Sequence, residues 1–213
     1  MVVKTLLVSD KVVEHLYSPK IAERHKDIDL IIGCGDLPYY YLEFLLSVLN
    51  KPLLYVHGNH DPAKEYLADG TAISGPSGGT NLHGITCHEK NLLLAGLEGS
   101  VRYRKGLFQY SQSEMWWNVY KLVPRLLINK LRYGRYLDIL VAHSPPFGIH
   151  NGQDHVHIGF EAFLWLMRVF KPAYMVHGHQ HIYNPNEITE TKYMDTQVLN
   201  IYPFKILEIE TPA

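Results

Sequence analysis

Short apolar runs, each closed by a turn residue, recur along the chain, and several lead directly into a side chain able to bind metal. Val2–Ser9 delivers Asp10, and Leu30–Gly35 delivers Asp36. Leu53–His57 leads into Gly58-Asn59-His60-Asp61, and Asp138–Ala142 delivers His143. Ala173–His177 leads into Gly178-His179-Gln180-His181. These runs are short and apolar, and Pro52 and Pro172 bound two of them upstream, a pattern that predicts buried strands ending in tight loops. Helices are predicted near 20–26, from Pro38 to about Asn50, over 111–132 despite Pro124, and up to about Phe170. Residues 62–69 read as a short helix at best, and 74–80 as loop. Further strands are expected near 83–87, 91–97, 197–201 and 205–210. Strands alternating with helices predict an α/β fold.

If the strands share a sheet, Asp10, Asp36, Asn59, His143, His179 and His181 gather on one rim, where open α/β sheets place their sites. Nitrogen and oxygen donors there suit divalent transition metals. A lone Asp after a strand also serves as a cap or turn residue, so the ordered set is far more specific than any member.

The order Asp, Gly-Asp, Gly-Asn-His-Asp, a lone His and Gly-His-x-His resembles the calcineurin-like metallophosphoesterase superfamily, from Asp10 to His181. The resemblance implies a four-layer α/β/β/α sandwich of two facing mixed sheets. It implies two divalent ions, with Mn²⁺ the first choice and Fe, Zn, Ni or Mg as alternatives. Asp10, Asp36 and His181 would hold the first ion. Asp36 would bridge to a second, completed by Asn59, His143 and His179. His60 would lie near the scissile phosphate as general acid, with Asp61 orienting it. One position departs from the family. Its first motif is Asp-x-His, and here Asp10-Lys11-Val12 puts an apolar side chain where an imidazole ligand is expected. The first site should therefore bind its metal more weakly, water filling the vacancy. His15 is too far along to substitute.

The 213 residues suit one domain, 1–213, and 46% hydrophobic with 19% charged residues is ordinary for a globular chain. A formal charge of −1 supplies no global basic field for nucleic acid. Two cysteines without Cys-x-x-Cys spacing exclude a zinc ribbon or disulfide framework, and Cys34 reads as a small core residue. No leader pattern or membrane-length apolar run is evident, so no membrane partner and a cytoplasmic location are expected.

Two divalent ions about 3.5–4 Å apart clamp a phosphate and generate hydroxide near neutral pH. The reaction expected is in-line hydrolysis of a phosphodiester or phosphomonoester, with His60 protonating the leaving group. The substrate expected is a small phosphorylated molecule, with a nucleotide as one candidate. Arg102 and Arg104 are candidate phosphate contacts at the cleft mouth, and one of Tyr39-Tyr40-Tyr41 is a candidate base-stacking ring. The His150–His157 loop is read equally as functional, assisting substrate binding or supplying an adventitious metal site, or as a capped loop before a helix. His57 and His177 are assigned hydrogen-bonded structural roles. Two other readings compete: a non-catalytic metal-binding or protein-interaction module on the same fold, and a nuclease. The neutral overall charge counts against the nuclease.

Overall fold

The computed structural model describes residues 1–211 apart from Gln153 and Pro185. Gln153 of the predicted histidine loop and the last two residues of the predicted domain thus lie outside the described residues.

In chain order the elements begin β1 (Val2–Val8), α1 (Ile21–Arg24), β2 (Leu30–Gly33), α2 (Tyr39–Leu49) and β3 (Leu53–Tyr55). Five strands follow: β4 (Glu65–Tyr66), β5 (Ala72–Ile73), β6 (Thr80–Asn81), β7 (Thr86–Glu89) and the longer β8 (Leu92–Leu97). Next come β9 (Ser100–Val101), β10 (Gln109–Tyr110), α3 (Gln112–Tyr133) and β11 (Ile139–Ala142). The chain ends with α4 (Glu161–Phe170), β12 (Tyr174–His177), β13 (Glu190–Tyr193), β14 (Thr196–Asn200) and β15 (Phe204–Glu210).

Two mixed sheets carry the architecture, in the orders β15-β1-β2-β3-β6 and β13-β14-β12-β11-β8-β7. Within them β1, β2, β3 and β6 run parallel, as do β8, β11, β12 and β14, while antiparallel β15, β13 and β7 close three of the four edges and β6 forms the fourth. Successive side chains of each central strand point to opposite faces, and both faces are covered. Val3 and Leu7 of β1 meet Ile139 and Val141 of β11 in the layer between the sheets. Leu6 and Val8 pack instead under α1 and α2 with Ile21, Leu42 and Leu45. Leu140 and Ala142 pack under α3 and α4 with Met115, Leu122 and Phe163. The result is the expected α/β/β/α sandwich, and burial on both faces is why these strands read as unbroken apolar runs.

Local chemistry sets the borders. Ser111 and Glu114 form a reciprocal capping box at the start of α3, which typically stabilises by about 1 kcal/mol. Pro38 stands at the cap of α2, one residue before its first turn. The expectation of a short helix at 62–69 is corrected: β4 and β5 pair antiparallel there. The Asp69-Gly70 turn decides it, with Gly70 at φ 82° and the Asp69 carboxylate accepting from Thr71 N at 2.9 Å.

Candidate metal centre

The loops leaving β1, β2 and β3 in one sheet face those leaving β11 and β12 in the other. Asp36 Oδ2 stands 3.4 Å from His143 Nε2. Asn59 Oδ1 lies 3.0 Å from the same nitrogen, and His179 Nδ1 lies 3.1 Å from it. Beside this group His181 Nε2 is 3.6 Å from Asp10 Oδ1, and the Asp10 carboxylate accepts from His179 N at 3.0 Å and from Ser9 Oγ. All six predicted ligand positions therefore meet at one rim, four in a tight group and two as a neighbouring pair.

The donor set fits a cation. His143 Nδ1 donates to the Cys34 carbonyl at 2.8 Å, and His179 Nε2 donates to the Val156 carbonyl at 3.2 Å. In neutral rings those bonds leave lone pairs on the two inner nitrogens, which face each other and the oxygens of Asn59 and Asp36. Four acceptors then converge with no donor among them. Without a metal, a proton must serve. Burial alone would lower the pKa of His143, but the Asp36 carboxylate beside it pushes it up to about 9. Asp36 is held down to about 2: burial opposes this, but the charge on His143 and the hydrogen bond from His60 N outweigh it. His179 is lowered to about 3, chiefly by burial, so it is a neutral ligand at physiological pH. One extra proton on His143 Nε2 occupies the place where a divalent ion would satisfy all four groups.

Backbone geometry shows how tightly this is held. Asp10, Asp36 and His179 have φ of 62°, 55° and 66°, in the left-handed region that side-chain-bearing residues rarely adopt. Such strain gathers where surrounding structure enforces it. Two glycines make the close approaches possible: a Cβ on Gly58 would overlap the Asp36 carboxylate, and one on Gly178 would overlap Ser9 Oγ and the Asp10 carboxylate.

Above the rim opens a cleft of about 670 Å³, lined in part by Asp10, Asp36, His60, His179 and His181. His60 is exposed to it, its own N–H donating to Asp36 Oδ1 at 2.8 Å. Asp61 stands otherwise than expected. Its carboxylate accepts from the backbone N–H groups of Gly58 at 2.7 Å and of Asp36 and Leu37 at 3.1 Å. It ties the β2 and β3 loops together instead of orienting the His60 ring. Burial and the nearby Asp36 charge raise its pKa.

Val12 packs on the core beneath the helices of the first sheet, and His15 packs edge-on against Phe204. Neither supplies the missing ligand.

The arginines are corrected as well. Arg102 pairs with Glu114 at 2.8 Å and donates twice to the Gln109 carbonyl, while Arg104 lies against the Tyr103 ring. Neither lines the cleft. Tyr39 and Tyr41 are buried and Tyr40 packs on Tyr17, so none of that trio reaches it. In the histidine loop, His150 bonds His177 at 3.0 Å and His155 bonds the Arg102 carbonyl. His157 bonds Asp154 at 2.8 Å and alone of the three lines the cleft. His57 is buried between Glu98, Tyr39 and the Ser74 carbonyl, a structural role.

Sequence reasoning missed Tyr103, Tyr183 and Glu187, which complete the cleft walls. Tyr103 OH accepts from Asn59 Nδ2 at 3.4 Å, which turns the Asn59 oxygen toward His143. Tyr183 OH lies 3.0 Å from His181 Nδ1.

The family model for calcineurin-like phosphoesterases matches residues 9–183, most of the chain and every residue of the rim. The chain belongs to this family. Calcineurin-like phosphoesterases are generally metal-dependent hydrolases of phosphoesters and typically hold two divalent ions. Among solved structures, one crystal structure is 13% identical and covers 100% of both chains at a TM-score of 0.65. TT1561 of Thermus thermophilus is 16% identical over 94% of this chain and 89% of that one, at a TM-score of 0.59. At these identities the likeness is one of fold. No curated protein matches the chain in sequence. Among the described residues no helix is long and apolar enough to cross a membrane.

Proposed function

We propose that this calcineurin-like phosphoesterase hydrolyses a small phosphodiester or phosphomonoester by in-line attack, with His60 as general acid. The observation carrying the proposal is the convergence of four acceptors without a donor directly beneath a cleft into which His60 projects. Divalent ions bound there supply Lewis acidity toward the phosphate and a nucleophile at neutral pH. Mn²⁺ is our first candidate. The remaining roles belong to the chain. Asp36, Asn59, His143 and His179 would hold the better-furnished ion, and Asp10 and His181, sharing Asp36, the one left short by Val12. The Asp36 carboxylate holds the His60 backbone, fixing where the imidazole enters the cleft. From there His60 gives its proton to the departing alkoxide, a step typically worth roughly 10²–10⁴ in rate. The Asp61 carboxylate keeps the two loops in register while this happens.

The test joins metal analysis to hydrolysis of bis(p-nitrophenyl) phosphate, p-nitrophenyl phosphate and a dinucleotide, each with added Mn²⁺, Zn²⁺ or Mg²⁺. Turnover that requires metal and is lost in Asp36→Ala supports the proposal. Bound metal with no turnover of any ester makes the chain a non-catalytic metal-binding module on the same fold.

A further inference from the structure

Among the described residues, no lysine or arginine lines the cleft. Of the two arginines flanking the lining Tyr103, Arg102 is paired with Glu114 at 2.8 Å and Arg104 lies over the Tyr103 ring, 5.3 Å from its centroid. Two divalent ions against the carboxylates of Asp10 and Asp36 leave two positive charges, which one phosphate neutralises. A second anionic group would need its own partner, and the bidentate arginine grip that usually supplies one is missing. Glu187 instead adds a negative charge to the wall. Tyr183, 80% exposed, lines the same cleft, its hydroxyl 3.0 Å from His181 Nδ1. An aromatic ring and a carboxylate, with no lysine or arginine among the lining residues, form a surface for a neutral or positively charged organic group.

Resting on the phosphoesterase reading, we infer that the cleft selects substrates bearing one phosphate on an uncharged or cationic alcohol, and that Glu187 sets this preference. Polyphosphates and esters of anionic alcohols are disfavoured because their extra negative charge meets Glu187 with no lysine or arginine on the cleft wall to offset it.

The experiment is calorimetric binding to Mn²⁺-loaded protein of three monophosphates of similar size: phosphocholine, glycerol 3-phosphate and 3-phosphoglycerate. Inorganic phosphate serves as anchor. Phosphocholine should bind roughly tenfold more tightly than 3-phosphoglycerate, the effect of reversing one charge near another across partly solvated space. In Glu187→Gln the three should fall within about threefold of one another, and thermal unfolding verifies that the variant is folded. Equal binding of the three to the wild type, or an order unchanged in Glu187→Gln, overturns the inference while phosphate binding leaves the phosphoesterase reading standing. If inorganic phosphate itself does not bind, that reading fails and the inference falls with it.

Discussion

Gly58→Ala puts one methyl group into the closest approach in the site. Gly58 is not among the residues with positive φ, so its backbone accepts alanine and the cost is steric. The new carbon would overlap the Asp36 carboxylate and its backbone nitrogen, forcing Asp36 aside by roughly 1 Å to restore ordinary contact distance. Two contributions follow. The hydrogen bond from His60 N to Asp36, 2.8 Å long, is broken, at about 1.5–3 kcal/mol for a charged acceptor. Overpacking adds roughly 1–3 kcal/mol. A combined loss near 4 kcal/mol lowers the melting temperature of a chain this size by on the order of 10 °C. Scanning calorimetry in chelator measures that. Mn²⁺ titration of the folded variant should show affinity reduced by roughly 10–100-fold, the usual effect of disturbing what supports a ligand. Gly84→Ala is the control. Its added carbon meets nothing, so it should lose only the roughly 1–2 kcal/mol of a left-handed alanine and no metal affinity. If Gly58→Ala binds Mn²⁺ as tightly as the wild type, Asp36 does not sit where the metal does.

His60→Ala should keep bound metal while turnover falls roughly 10²–10⁴-fold, less for p-nitrophenolate than for alkoxide leaving groups; equal losses on both refute the acid role. The raised His143 pKa makes metal compete with a proton, so apparent affinity should rise about tenfold per pH unit up to about 9, then level, as equilibrium dialysis would show. The same shift, from an ordinary His value to about 9, stabilises the metal-free protein by on the order of 3 kcal/mol. That contribution is full below about pH 6.5 and fades as pH climbs through 9, which chemical denaturation in chelator checks. Purified protein should hold one ion tightly and a second weakly, and Val12→His should tighten the weaker; two ions resisting chelator equally in the wild type would refute the assignment.

Much of this is legible in the sequence because of how the strands are buried. Covered on both faces, they leave unbroken apolar runs, and each run points at the residue that follows it, which is how Asp10, Asp36 and His143 stand out. What lies on the loops is not legible. Tyr103 is held by Gln109 Oε1 accepting from its backbone, and Tyr183 by a ring nitrogen of His181. Such contacts have no periodicity to read. Arg102 departs from expectation because its partner, Glu114, is also the capping residue of α3, and helix capping and ion pairing together draw the guanidinium off the cleft. The β4–β5 hairpin and β13 are short and half-exposed, so their apolar signal is faint.

The left-handed backbone at Asp10, Asp36 and His179 sets function against durability. Each such residue costs roughly 1–3 kcal/mol, whereas a whole domain is typically stable by about 5–15 kcal/mol. Glycine at these three positions would relieve the strain and remove the side chains that make the site. Random substitution screened for heat resistance alone would therefore drift toward an inert protein, its gains concentrated at the residues worth keeping. A search for hardier variants that still act has to leave this rim alone and look for its improvements in the helices and loops far from it.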